Sequence, residues 1–140
     1  MFAPMFVMGS ALLALPPSAA ASPRVDYYVR CAGCHRPDGT GLPQSVPDLR
    51  ISLPVLMRVS GGREFLVQVP GTAQSILSDA EVAAVLNWMV DSFTAPLPSK
   101  WVPYTTEEVS RVRRTPLVNV QATRDALMNA AMSAAATRQD

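Results

Sequence analysis

The clearest periodic pattern in the chain lies in its second half. Six apolar side chains recur there at three- and four-residue intervals, as on one face of an α-helix: Val82, Val85, Leu86, Met89, Val90 and Phe93. The residues just before them, Ser78-Asp79-Ala80-Glu81, have the form of a capping box, in which Ser78 and Glu81 satisfy free amides of the first turn. The pattern predicts a helix that begins after Ser78 and packs by one apolar face.

Two more helices are predicted closer to the C-terminus. Residues 95–103 are rich in proline and should run extended, whereas Thr105-Thr106-Glu107-Glu108 is a second capping box that predicts a short helix through Arg114. An alanine-rich stretch from Val120 to Ala136 predicts another helix. Four apolar residues, one just before this stretch and three inside it, are spaced for partial burial only: Leu117, Val120, Leu127 and Met128.

Elsewhere the pattern is less decisive. The apolar residues of segment 61–69 are too continuous to show a face, so helix and strand both remain open. Met1 to Ala21 carries no charged residue and combines a short apolar run with Ala19-Ala20-Ala21, a small-residue cleavage site, although a basic start is missing. A cleaved signal peptide is the favoured interpretation, with an uncleaved membrane anchor as the alternative. Nothing later in the chain resembles a membrane span.

Composition narrows the class of protein. The chain has 140 residues, 49% of them hydrophobic, and a formal net charge of +1, which is typical of one globular domain with an appended segment. This balance argues against a disordered protein and against a general nucleic-acid binder. Because there are only two cysteines, both in one short motif, a disulfide between them would close a very small loop and stabilise little.

The motif is Cys31-Ala32-Gly33-Cys34-His35, the C-x-x-C-H pattern of covalent haem attachment. Each thiol can add to one vinyl group of the porphyrin, and the next residue can direct its imidazole toward the iron. Three alternatives remain. A thioredoxin-like redox pair would need a βαβ pattern that is not evident, a zinc site would need ligands beyond the single histidine and two cysteines, and a plain disulfide is the simplest interpretation.

The surroundings of this motif resemble the class I cytochrome c family. A short helix with aromatic and apolar residues, Val25 to Val29, leads into Cys31, and a glycine-rich turn, Arg36 to Gly41, follows His35. Pro47-Asp48-Leu49 is similar to the P-x-L of the family. The resemblance implies that the Pro47 carbonyl accepts a hydrogen bond from His35, that Leu49 packs on the haem, and that segment 61–69 is the family's middle helix.

The resemblance covers about half of the chain. It implies an all-α fold, a small helical cytochrome c-like domain around one covalent haem c, over residues 22–96. The sequence patterns add a signal peptide over 1–21 and a helical extension over 97–140. Trp88 is placed to meet Tyr27 or Tyr28 where the first and last helices cross. Ordinary partial burial of Trp88 is the simpler interpretation.

One feature departs from the family. Its members present a methionine to the distal side of the iron from the loop before the last helix, but Val69 to Leu77 contains none. Met57 is the candidate distal ligand, with core filling as its alternative role, and Gln74 is a weaker candidate. Met89 is more suited to packing. A distal position without a protein ligand is the remaining interpretation, and it would lower the reduction potential and admit a small molecule.

The function predicted from the resemblance is one-electron transfer in the periplasm, without enzymatic activity of its own. The expected partner is a redox protein such as a periplasmic dehydrogenase or oxidase, with no nucleic acid, and with a membrane only if the N-terminal segment stays uncleaved. Two alternatives are a haem module that binds a small ligand and a haem subunit of a larger dehydrogenase complex. The basic cluster of Arg111, Arg113 and Arg114 is either a solvated helix face or a contact to an acidic partner or a haem propionate.

Overall fold

The computed structural model describes residues 21–97 and 101–137, and it confirms the all-α fold class. The helices of this part of the chain are α1 (Pro23–Arg30), α2 (Ala32–His35), α3 (Leu49–Leu56), α4 (Gly62–Gln68), α5 (Pro70–Ala73), α6 (Asp79–Phe93), α7 (Thr106–Val112) and α8 (Val120–Ala136). Residues 1–20 of the predicted signal peptide lie outside the described residues. None of the described helices is both long and apolar enough to cross a membrane.

Helix α6 lies at the centre of the fold and packs against α1, α3 and α7. Its predicted capping box is confirmed, because the Glu81 amide donates to the Ser78 hydroxyl at 3.3 Å while the Glu81 carboxylate accepts from the Ser78 amide at 2.7 Å. The predicted apolar face is also confirmed. Five of its six residues are buried, and Phe93 is half-buried at the end of the helix: Val82, Val85, Leu86, Met89 and Val90 form the buried set.

Helix α1 crosses α6 through a cluster of aromatic rings. Tyr27 is fully buried, and its ring centroid lies 5.0 Å from that of Trp88 and 5.4 Å from that of Phe93. Tyr28 is also within 6.4 Å of Trp88. Trp88 is thus half-buried, as the simpler interpretation had it, and it also meets both tyrosines of the first helix. Tilted and edge-on pairs of this kind stabilise a crossing beyond the apolar area that they bury.

Helices α3 and α4 form the middle of the chain. The structure resolves the ambiguity of segment 61–69 in favour of a helix, whereas α3 was not predicted from the sequence. The Asp48 carboxylate caps α3 by accepting from the Arg50 amide at 2.9 Å. The turn between the two helices is tight, since a Cβ atom on Gly62 would collide with the backbone carbonyl of Leu56. Glycine at this position allows α3 and α4 to approach each other.

Helix α7 begins as predicted and ends at Val112, two residues earlier than expected. The Thr105 hydroxyl accepts from the Glu108 amide at 3.2 Å. The other bond of the predicted capping box, from the Thr105 amide to the Glu108 carboxylate, does not form. The Glu108 carboxylate instead accepts two hydrogen bonds from Arg63 of α4, at 3.0 and 2.7 Å. A guanidinium that donates two parallel hydrogen bonds binds a carboxylate more strongly than one backbone amide does. The pairing with Arg63 therefore prevails over the local cap.

The segment after residue 100 belongs to the same hydrophobic core as the helices before it. Tyr104 and Val109 are buried among residues of α3, α4 and α6. The Arg63 guanidinium lies 4.1 Å from the Tyr104 ring centroid and donates to the Val102 carbonyl at 2.6 Å. Helix α8 packs on α3 and α4. The four residues that were predicted to be only partly buried are indeed half-buried: Leu117, Val120, Leu127 and Met128. The C-terminal segment is thus packed over the middle of the chain.

Candidate functional site

The two cysteines lie where α1 passes into α2. The Cys31 amide donates to the Tyr27 carbonyl at 2.8 Å and ends α1, and the His35 amide donates to the Cys31 carbonyl at 2.9 Å to form the single turn of α2. Both thiols are free, Cys31 half-buried and Cys34 exposed. Burial, assisted by the charge of Asp26, raises the pKa of Cys31 to about 11. The site therefore presents two unpaired sulfur atoms on adjacent turns.

The His35 imidazole is half-buried and tied to the loop that follows it. Its Nδ1 lies 3.3 Å from the Pro47 carbonyl oxygen. Burial lowers the pKa of His35, and the hydrogen bond to Pro47 opposes this effect to a smaller extent. Because a carbonyl only accepts, Nδ1 carries the proton of the neutral ring, and the lone pair is on Nε2. The imidazole is thus oriented with one nitrogen available as a metal ligand.

The loop between His35 and Pro47 folds back on itself. The Gly41 amide donates to the His35 carbonyl at 3.0 Å, and Leu42 and Val46 form an antiparallel bridge. Gly41 has a φ of +67°, and a Cβ atom there would lie 2.6 Å from the Pro47 carbonyl oxygen. Glycine at residue 41 therefore allows the loop to bring the Pro47 carbonyl to the imidazole.

Tyr27 supports the other side of this loop, although no sequence pattern marked it as a site residue. Its hydroxyl donates to the Arg36 carbonyl at 2.7 Å, and Arg36 has a φ of +61°, a left-handed conformation that is uncommon outside glycine. Burial raises the pKa of the Tyr27 hydroxyl, which therefore stays protonated as a donor. The only sequence signal for this contact was an aromatic residue shortly before Cys31.

Leu49 and Met57 occupy the two ends of α3. Leu49 follows the Pro47 loop, is buried in the core, and donates its amide to the Gly39 carbonyl at 2.8 Å. Met57 is half-buried at the C-terminal end of α3, where its Sδ lies 4.0 Å from the Tyr104 hydroxyl. The predicted contact between His35 and Pro47 is therefore present. The Met57 sulfur lies against the Tyr104 hydroxyl. Met89 is buried in the core, as predicted.

The segment that precedes α6 is held by Arg113, at the C-terminal end of α7. Its guanidinium donates to the carbonyl oxygens of Ala73, Ser75 and Leu77 and to the Asp79 carboxylate. Arg113 is therefore neither on a solvated helix face nor free for a partner, whereas Arg111 and Arg114 are exposed. No local pattern in the sequence could have shown this, since the three backbone carbonyls and the Asp79 carboxylate that accept these bonds lie more than thirty residues away.

The chemistry of these residues fits a covalently attached haem. The thiols of Cys31 and Cys34 would form the covalent bonds, and Nε2 of His35 would bind the iron from the proximal side. The Ser75 hydroxyl, in the segment before α6, is buried and has no hydrogen-bond partner within the described residues, so a water molecule or another group would have to satisfy it. Within residues 21–97 and 101–137 there is neither a named strand nor a group of three acidic, cysteine or histidine side chains that could hold a metal ion. The thioredoxin-like and zinc alternatives gain no support there.

Comparison with known proteins agrees with this chemistry. No family model matches the chain. Two curated relatives, both from Thermus thermophilus, are named cytochrome c-552, and each is 32% identical over 113 residues. The shared region covers 67% of this chain and 86% and 76% of the respective relatives. The chain belongs to the c-type cytochromes.

Proposed function

We propose that the protein carries single electrons by means of one haem c, attached at Cys31 and Cys34 and bound through its iron by His35. Electron transport and a covalent haem follow from membership of the family, and the single haem is proposed because the sequence contains one C-x-x-C-H motif. The observation that supports these residue roles best is the 3.3 Å contact between His35 Nδ1 and the Pro47 carbonyl. It leaves Nε2 as the ligand nitrogen, beside two free thiols.

When bound, haem supplies an iron centre that alternates between the ferric and ferrous states. The polypeptide supplies orientation and enclosure. The Pro47 carbonyl fixes the tautomer of His35 and makes Nε2 a better donor. Tyr27 binds the Arg36 carbonyl at the start of the loop that carries this carbonyl, and Gly41, within the loop, allows the backbone to pack closely against Pro47. Leu49 contributes apolar surface next to it, where exclusion of water favours the less charged form of the iron centre.

The test is to produce the full chain in a host that matures c-type cytochromes and to record its pyridine haemochrome spectrum. The parent protein is expected to show one haem with two thioether bonds per chain. A Cys31→Ala/Cys34→Ala variant should lose all covalent haem, because no other cysteine exists. Gly33→Ala is a matched control inside the motif, since a Cβ atom there meets nothing within 4 Å. Covalent haem in the double variant would contradict the proposal.

Export to the periplasm is part of the same proposal. It is supported by the uncharged apolar segment before residue 22 and its small-residue cleavage site. The expected redox partner is a periplasmic dehydrogenase or oxidase. N-terminal sequencing of the purified holoprotein should begin near Ser22, and retention of Met1 in a membrane fraction would favour the anchor instead.

A further inference from the structure

The segment between α4 and α6 has little structure of its own. It contains the single turn of α5 and then runs from Gln74 to Leu77 without regular hydrogen bonding to a neighbouring element. In the family to which this chain belongs, this segment presents the distal methionine, and here it has none. Its conformation therefore depends on contacts from elsewhere in the molecule.

Arg113 supplies those contacts with four hydrogen bonds. Nε donates to the Ala73 carbonyl at 3.2 Å, and Nη2 donates to the Ser75 carbonyl at 2.8 Å. Nη1 donates to the Leu77 carbonyl and to Asp79 Oδ1, both at 2.9 Å. The Arg113 side chain is only 14% exposed. One planar cation thus binds three alternate carbonyls, those of Ala73, Ser75 and Leu77, and the first residue of α6.

This arrangement depends on the shape of the guanidinium. Its N–H groups lie in a fixed fork and reach several acceptors at once, whereas the ammonium of lysine is a compact charge at the end of a flexible chain. Hydrogen bonds from a charged donor are stronger than those between neutral groups, and more so where water is largely excluded. Replacing Arg113 by lysine keeps the charge near Asp79 and removes most of the simultaneous bonds.

The side chains of the segment offer no strong iron ligand. Gln74 is exposed, and the Ser75 hydroxyl is buried without a hydrogen-bond partner among the described residues. The candidate from further away, Met57, has its sulfur against the Tyr104 hydroxyl. A buried donor without a partner is costly, and a small ligand or water at this place would satisfy it.

We infer that Arg113 is a positioning residue that holds residues 73–77, part of the segment from which the family presents its distal ligand and which here carries no methionine. This segment then supplies no sixth ligand to the iron, and a small external molecule enters at a rate set by how firmly Arg113 holds the segment. This inference rests on the proposed function. It deepens that function by assigning a role in the control of ligand access to a residue of the C-terminal segment.

The test uses the full-length holoprotein and two probes, imidazole for the ferric form and carbon monoxide for the ferrous form. The parent is expected to give a ferric spectrum without the weak far-red charge-transfer band of methionine ligation, and to bind both probes. Arg113→Lys and Arg113→Ala should raise the association rate about tenfold, because opening of the segment no longer requires breaking four bonds at once. Arg114→Ala, an exposed neighbour, is the matched control and should stay within about twofold of the parent.

Several results would overturn the inference. A methionine band in the parent that disappears in Met57→Leu would assign the sixth ligand to Met57. Unchanged association rates in folded Arg113→Lys would show that the bonds do not control access. If the Arg113 variants do not accumulate, Asp79→Ala removes one acceptor and leaves the carbonyl bonds, and a rate equal to that of the parent would count against the inference. A protein without covalent haem would instead contradict the proposed function.

Discussion

Individual residues around the attachment motif determine where the Pro47 carbonyl lies. Gly41 takes a positive φ and sits against two backbone carbonyls, and Tyr27 binds the carbonyl of Arg36, which also has a positive φ. These positions are local in sequence but depend on backbone geometry that a hydrophobic pattern does not reveal. The P-x-L resemblance predicted the partner of His35, whereas the way the loop reaches it becomes clear only in three dimensions.

Substitution of Gly41 by alanine should disturb both stability and the orientation of His35. The new Cβ atom would lie 2.6 Å from the Pro47 carbonyl oxygen, and the alanine would have to adopt the positive φ of Gly41. We expect the free energy of unfolding to fall by about 2 kcal/mol or more, the sum of conformational and steric costs. Gly71→Ala is the control, because nothing lies within 4 Å of its Cβ position. Urea denaturation compares the two, and equal stabilities would contradict the expectation.

Removal of the Tyr27 hydroxyl tests the support at Arg36. Tyr27→Phe keeps the buried ring against Trp88 but leaves the Arg36 carbonyl without this donor. The expected loss in the free energy of unfolding is about 1 to 2 kcal/mol. Tyr28→Phe is a suitable control because Tyr28 is 38% exposed. A loss of the same size in both variants would show that the bond to Arg36 is not the cause.

At the scale of elements, the sequence predicts best where the signal is local. The start and apolar face of α6 and the bounds of α8 agree with the pattern, since caps and helical periodicity involve neighbours in sequence. Helix α3 was missed because Pro54 lies inside it and its apolar residues adjoin a loop motif. The Glu108 half of the second cap was wrong because Arg63 lies 45 residues away. Such pairings leave no periodic signal.

The start of α6 should make the protein sensitive to acid. The bond to Arg113 lowers the pKa of Asp79, and bonds to the Ser78 hydroxyl and amide lower the pKa of Glu81. A carboxyl whose pKa is lower in the folded chain adds stability above its unfolded pKa, about 4, and loses that contribution as the pH falls through the folded value. Stability should therefore decrease below about pH 4.

Urea denaturation of the parent and of an Asp79→Asn/Glu81→Gln variant, measured at neutral pH and in acid, checks this expectation. The variant should be less stable at neutral pH and should lose less on acidification, since it lacks both carboxylates. Ser78→Ala removes one of the donors to Glu81. Its loss of stability on acidification is expected to lie between that of the parent and that of the double variant. A pH dependence of the variant as steep as that of the parent would assign acid sensitivity to other groups.

At the scale of the whole molecule, the C-terminal segment completes the core. Tyr104 and Val109 are buried among residues of earlier helices, and Arg63 pairs with Glu108. The proposed domain boundary near residue 96 therefore separates segments that share one core. Deletion of this segment removes part of the interior together with the basic cluster.

Two truncations separate these contributions. A chain ending at Leu97 loses the buried side chains of Tyr104 and Val109, which together are worth about 4 kcal/mol, and also the bonds of Arg113. We expect little folded holoprotein from it. A chain ending at Arg114 keeps all of these and loses α8, which has no buried residue. It should fold with reduced stability, as measured by thermal unfolding. Equal yields from both truncations would contradict the assignment of the core.

The placement of Tyr104, Val109 and Arg113 also has a consequence for the order of events during synthesis. When the chain has been made through Phe93, it already contains both cysteines, His35 and the Pro47 loop, but not the residues that close the core and hold the segment before α6. Native packing is cooperative, so this nascent chain lacks a finished interior. During synthesis the attachment motif therefore emerges before the residues that close the core. The residues that complete the core are thus also the last to become available to the folding chain.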